Sequence, residues 1–126
     1  MLKYIGLFFA TVNSIKLINF ADDLKAEDLE KVLKNNKIVV FTKSNCTYCD
    51  QVENLLNKDN LDAFFINLDI LSDKKAVENA VNTRTNNTMV PKIFINDKYI
   101  GMLSQLKELQ KNGKLYKDEE KEETEF

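Results

Sequence analysis

The sequence predicts an α/β fold, a four-stranded mixed sheet flanked by helices on both faces. Three observations predict it. Helix-type and strand-type periodicities alternate over residues 22–116 in the order α-β-α-β-α-β-β-α. The first strand, Ile38-Val39-Val40-Phe41, is apolar without interruption, as a strand covered on both faces must be. The first two strands are joined through a helix, which requires parallel pairing and a right-handed crossover, whereas only Asn96-Asp97 separates the last two, which form a hairpin.

Each element has its own local cause. Leu24, Ala26, Leu29, Val32 and Leu33 recur at helical spacing, and Glu27 and Asp28 fall early, where carboxylates complement the helix dipole. Asn35-Asn36 ends that helix, and residues 43–45 form a polar loop after the first strand. Val52, Leu55 and Leu56 share one face of a second helix over about 47–58, and Ala63-Phe64-Phe65-Ile66 reads as another buried strand. Ser72 is placed to cap a third helix running to about Thr83, with Ala76, Val77, Ala80 and Val81 inward. Ile93-Phe94-Ile95 is the third strand, and Tyr99-Ile100 begins the return strand. A last helix over about 103–112 carries Leu103, Leu106 and Leu109, and Gly113 stands where a left-handed cap belongs. The layout is thioredoxin-like.

Composition bounds the chemistry. A chain of 126 residues suits one domain with short appendages. A net charge of -2 gives no broad basic surface for nucleic acid. With no His, the chain holds no Ser-His triad, His-ligated metal or His general base. Two Cys neither staple a scaffold with several bridges nor complete a four-thiolate zinc site without a second chain, so no metal site of its own is expected. Residues 1–20 read as a secretory signal peptide or N-terminal extension: Lys3 precedes the apolar run Ile5 to Val12, and cleavage is expected after Ser14. The run is far short of a membrane span, so no stable insertion is expected. Residues 117–126 are acidic and nearly devoid of apolar side chains, as in a solvated, disordered tail.

The reactive centre is Cys46-Thr47-Tyr48-Cys49, at the junction of a buried strand with a helix. The two thiols fall on one side of the helix's first turn. Unpaired N–H groups and the positive end of the helix dipole favour a thiolate at Cys46, and Lys43 adds a cation nearby. Cys49 lies a turn deeper and should be less exposed. Cys46 is therefore expected to attack, and Cys49 to resolve the mixed disulfide. A structural disulfide, half of a zinc site shared between chains, and a pair of inert thiols are the alternatives. The strand-to-helix placement favours redox chemistry, and so short a loop gains little entropic stabilisation from a cross-link. Pro91, the only proline, precedes the third strand and cannot donate to the ladder; a cis peptide there would bend the chain and leave the Val90 backbone free to pair with an extended peptide.

These residues resemble the glutaredoxin family, in its dithiol form. The stretch 41–49 resembles the family's strand, lysine and C-P-Y-C site, here C-T-Y-C. Met89-Val90-Pro91 with the following strand resembles its T-V-P motif, and Tyr99-Ile100-Gly101 through Gly113-Lys114-Leu115 its I-G-G turn, last helix and closing G-x-L. The likeness spans about 27–115. It implies glutathione-dependent reduction of protein–glutathione mixed disulfides and protein disulfides, with Cys46 as nucleophile, Cys49 as resolving thiol and glutathione as cosubstrate rather than a tightly bound cofactor. Lys43 would contact the glycyl carboxylate, Tyr48 and Met89 would line the groove, Val90 would pair with the cysteinyl backbone beside a cis Pro91, and Ser104 and Gln105 would face the γ-glutamyl end.

Departures from the family pattern are Thr47 for Pro, Met89 for Thr, Thr88 where Arg or Gln often helps hold a carboxylate, and Gln105 for the Asp that would hold the γ-glutamyl ammonium. An amide oxygen accepts a hydrogen bond but brings no charge, so weaker glutathione binding is expected. Two alternatives follow: a [2Fe–2S] cluster shared by two chains through glutathione, and a secretory-pathway thiol oxidoreductase with weak glutathione dependence. The chain is expected to be a monomer, dimeric only with the cluster. Its partners would be glutathione and glutathionylated or disulfide-containing proteins. Its location would be secretory or extracellular if residues 1–20 are a signal, and cytoplasmic otherwise.

Overall fold

Four consecutive apolar side chains are stable only in a strand with both faces covered, and Ile38–Thr42 is such a strand, β1, with residues 38–41 all buried. The computed structural model describes residues 23–115, so the expectations for residues 1–20 and 117–126 lie outside the described residues. β1 pairs in parallel with β2 (Phe64–Asn67) and antiparallel with β3 (Lys92–Ile95), which forms a hairpin with β4 (Lys98–Gly101). The strand order is β2-β1-β3-β4, the expected four-stranded mixed sheet.

Alternation along β1 divides the core into two. Val39 and Phe41 join Leu29, Val32 and Leu33 of α1 (Leu29–Asn35), Val77 and Val81 of α3 (Lys74–Thr85), and Phe94. Ile38 and Val40 join Val52 and Leu56 of α2 (Thr47–Lys58), Leu106 of α4 (Leu103–Lys111), and Ile93. Helices thus cover both faces. Phe41 and Phe94 meet edge to face at 5.7 Å between centroids, the geometry that aromatic quadrupoles favour.

Local structure departs from expectation in three places. The first helix opens as a separate 3-10 turn, Ala26–Asp28, where the Lys25 N–H donates to Asp28 Oδ2 at 3.1 Å. β2 lies at the sheet edge, so Phe64 and Phe65 are half-buried and only Ile66 is fully enclosed. Ser72 does not cap α3. That helix starts at Lys74 with Asp73 at its cap position, and Ser72 Oγ instead accepts from Lys25 Nζ at 3.4 Å. α3 also runs on to Thr85 and closes on Asn86 in the left-handed region (φ 53°), an asparagine filling a role usually taken by glycine. The β3–β4 turn is as expected, with Asn96 and Asp97 both at positive φ. No helix among the described residues is long and apolar enough to cross a membrane.

Candidate active site

The sulfur pair is placed by the loop that leaves β1. Asn45 takes a left-handed conformation (φ 57°), and Cys46 follows with an extended backbone as the cap residue of α2. The orphan N–H of Cys49, in the first turn, donates to Cys46 Sγ at 3.1 Å. Cys46 and Cys49 are joined as a disulfide, with Cα atoms 5.2 Å apart. Cys49 is buried and Cys46 half-buried, so Cys49 is the less exposed of the two, as expected.

The approach loop is tied down from β2's far end. The Ser44 N–H donates to Asp69 Oδ2 at 2.8 Å, and Asn67 Nδ2 donates to Ser44 Oγ at 3.4 Å. Asp69 also pairs with Lys74 at 2.8 Å. The hydrogen bond from Lys74 and then the Ser44 N–H hold the Asp69 carboxyl below its usual range. The same pair raises the Lys74 ammonium.

In the loop before β3, the Val90–Pro91 peptide is cis, Pro91 is buried and Val90 half-buried. Met89 is exposed at 62% and lines neither hollow described below, its N–H donating to Asn87 Oδ1 at 3.0 Å. Beneath this loop Lys92 is fully buried; its ammonium donates to Thr85 Oγ1 at 3.1 Å and to the Asn87 carbonyl. Burial, and secondarily the charge of Lys43, lowers its pKa, while Glu78 opposes the shift.

Two hollows are lined in part by residues 46–49. One, of about 300 Å³, is lined by Tyr48, Pro91, Met102, Leu103, Ser104 and Lys107. The other, of about 410 Å³, is lined by Lys43, Cys46, Cys49, Asp50, Glu53 and Ile70 among others. The structure therefore brings Tyr48, Pro91 and Ser104 together in the first and Lys43 with both sulfurs in the second. Gln105 turns back on its own helix, where its Oε1 accepts from the Met102 N–H at 2.8 Å. The Gln105 side chain packs where a Cβ at residue 101 would stand, so Gly101 (φ +119°) is required there. Lys43 makes an ion pair with Glu78 of α3.

Sequence reasoning singled out neither Asp69, Glu78 nor Lys92. Lys92 had a readable signal: the alternation that turns Phe94 inward also turns Lys92 inward. Asp69 and Glu78 had none, since both act across the fold. Among the described residues, no group of three or more His, Cys, Asp or Glu is arranged to hold a metal ion.

Comparison with known proteins agrees with this arrangement. The glutaredoxin family model matches residues 38–100, from β1 into β4. A glutaredoxin of Vernicia fordii is 36% identical over 92 residues, covering 73% of this chain and 86% of that one. The mitochondrial glutaredoxin-2 of Bos taurus is 32% identical over 87 residues, covering 69% of this chain; the chain spans only 55% of that relative's length. A crystal structure of a buckwheat glutaredoxin–glutathione complex superposes with a TM-score of 0.68 at 30% identity, covering 80% of this chain and 88% of that one. With this family model matched over half of the chain and these relatives sharing its fold, the chain belongs to the glutaredoxin family.

Proposed function

We propose that the chain is a glutathione-dependent thiol–disulfide oxidoreductase that reduces protein–glutathione mixed disulfides and protein disulfides. The observation that carries this reading is the placement of Cys46 Sγ at the start of α2, accepting the Cys49 N–H, with the second sulfur buried behind it. A helix N-terminus and a donated N–H both favour the anionic sulfur over the neutral thiol.

The reaction balances with glutathione alone as reductant. In the reduced chain the Cys46 thiolate attacks the glutathione sulfur of a mixed disulfide. The new bond joins Cys46 to glutathione, and the substrate protein leaves as a thiolate that takes up a proton. A second glutathione thiolate then attacks the same glutathione sulfur, releasing glutathione disulfide and regenerating the Cys46 thiolate. With a protein disulfide as substrate, Cys49 attacks the Cys46 mixed disulfide and frees the second thiol, leaving the internal cross-link for glutathione to reopen. Tyr48, Pro91 and Ser104 line the groove that would hold the tripeptide, and Tyr48 there is an exposed apolar side chain. Support also comes from the similar buckwheat protein, whose structure is that of a glutathione complex.

A mixed-disulfide assay with glutathione tests the reading. Cys46→Ser should abolish turnover. Cys49→Ser should retain reduction of glutathionylated protein and lose most reduction of protein disulfides. Full activity in the Cys46 variant would overturn the assignment.

A further inference from the structure

We propose that Asp50 and Glu53 are specificity-determining residues that read the protein side of the mixed disulfide: they select substrates whose reactive cysteine is flanked by Lys or Arg. This rests on the glutathione-dependent reading and deepens it by naming the class of protein the site favours.

Helical spacing puts both carboxylates beside the sulfurs. Asp50 follows Cys46 by four residues and Glu53 follows Cys49 by four, so one strip at the head of α2 carries all four side chains. The same four line the hollow of about 410 Å³, whereas neither cysteine lines the other hollow. A substrate sulfur bonded to Cys46 therefore brings its own chain against this strip. The charge of the strip is open. Asp50 and Glu53 are exposed, and neither carboxylate has an ion-pair or hydrogen-bond partner among the described residues. Lys43 is the only cationic side chain lining this hollow, and Glu78 of α3 already pairs with it. An arriving chain thus meets two uncompensated carboxylates, which attract a Lys or Arg neighbour of its cysteine and repel an Asp or Glu. The helix dipole accounts for only one of them. Asp50 lies in the first turn of α2, where a carboxylate stabilises the helix, but Glu53 lies beyond the reach of that effect. The hollow also has an apolar part, Phe65 of β2 and Ile70, which is 57% exposed. The long aliphatic stem of Lys or Arg can cover such surface while its charged head stays at the carboxylates.

The test compares two glutathionylated peptides that differ only in the residues on either side of the cysteine, Lys in one and Glu in the other, with glutathione as the reducing thiol. It uses the full chain, Asp50→Asn, Glu53→Gln, the double variant and, as a control, Glu108→Gln, an exposed carboxylate of α4 that lines neither hollow. The readout is the ratio of kcat/KM for the two peptides. Partial unfolding, or a change in the reactivity of Cys46 itself, moves both peptides together and leaves the ratio alone. Each exposed charge pair is worth about twofold, so the unaltered chain should prefer the Lys peptide by about tenfold at low salt. That preference should shrink to about twofold at about 0.5 M salt, where exposed charges are screened. Each single variant should lose part of it, the double variant nearly all, and Glu108→Gln none. Equal use of the two peptides by the unaltered chain, or a preference that survives in the double variant or disappears in Glu108→Gln, would overturn the inference alone. Turnover of both peptides with a dithiol reductant but not with glutathione would overturn the glutathione-dependent reading, and the same ratio read with the dithiol would then decide the inference.

Discussion

At the Lys92 side chain an ammonium is enclosed beneath the loop that carries the cis proline, bonded to Thr85 and Asn87. Burial sets its pKa below the free value of 10.5, so between the two values the unfolded chain binds the extra proton. Stability must therefore rise with pH across the interval that ends at 10.5, and the cost of burying the charge is carried in full below it. Urea unfolding at a series of alkaline pH values should show that rise in the oxidised protein, and Lys92→Met should flatten it. The same residue shows where sequence reading stops. Alternation in β3 gives the inward direction of Lys92, but the partners that make burial tolerable come from α3 and the loop after it, which no local pattern specifies. Cys46 was more legible, because its surroundings are its own helix: the donor that reaches its sulfur is only three residues away.

Among the elements, the loop between β1 and α2 depends on a turn far along the chain. Asp69 lies in the 3-10 turn Leu68–Ile70 and holds the Ser44 N–H on one oxygen and Lys74 on the other. Its carboxyl is held below its free value of 3.8, so its contribution is present in full above that value and is lost as pH falls through the lower folded one. Asp69→Asn should remove this part of the acid loss of stability, seen as a flatter fall in urea midpoint between about pH 5 and about pH 3. It should also lower kcat/KM in the mixed-disulfide assay, since the loop before Cys46 loses an anchor. Helix interiors and the hairpin turn were readable, whereas two helix starts were not. Glu27 and Asp28 mark an N-terminus, yet the chain there closes a 3-10 turn through the Asp28 carboxylate. Ser72 has capping chemistry but spends its hydroxyl on Lys25, a partner 47 residues away.

For the molecule as a whole, the two cores on either side of the sheet supply the apolar burial that fixes the site. Leu56 lies on α2, the helix headed by the sulfur pair, and is fully buried among Val40, Val52 and Leu106. Leu56→Ala should cost about 2–5 kcal/mol through lost burial and the cavity left behind, measured by urea unfolding. The α/β class, the parallel first pair of strands and the final hairpin were legible because each follows from the kind of connection between neighbours in sequence. The edge position of β2 was not, since strand order depends on which distant strand closes the other side of β1. The disulfide bridges residues only three apart, within one turn at the mouth of the fold. Opening it frees almost no chain and touches neither core, so the body of the protein has no topological stake in whether that link is made. Such a tip can be discharged and recharged repeatedly while the scaffold behind it never has to find its shape again.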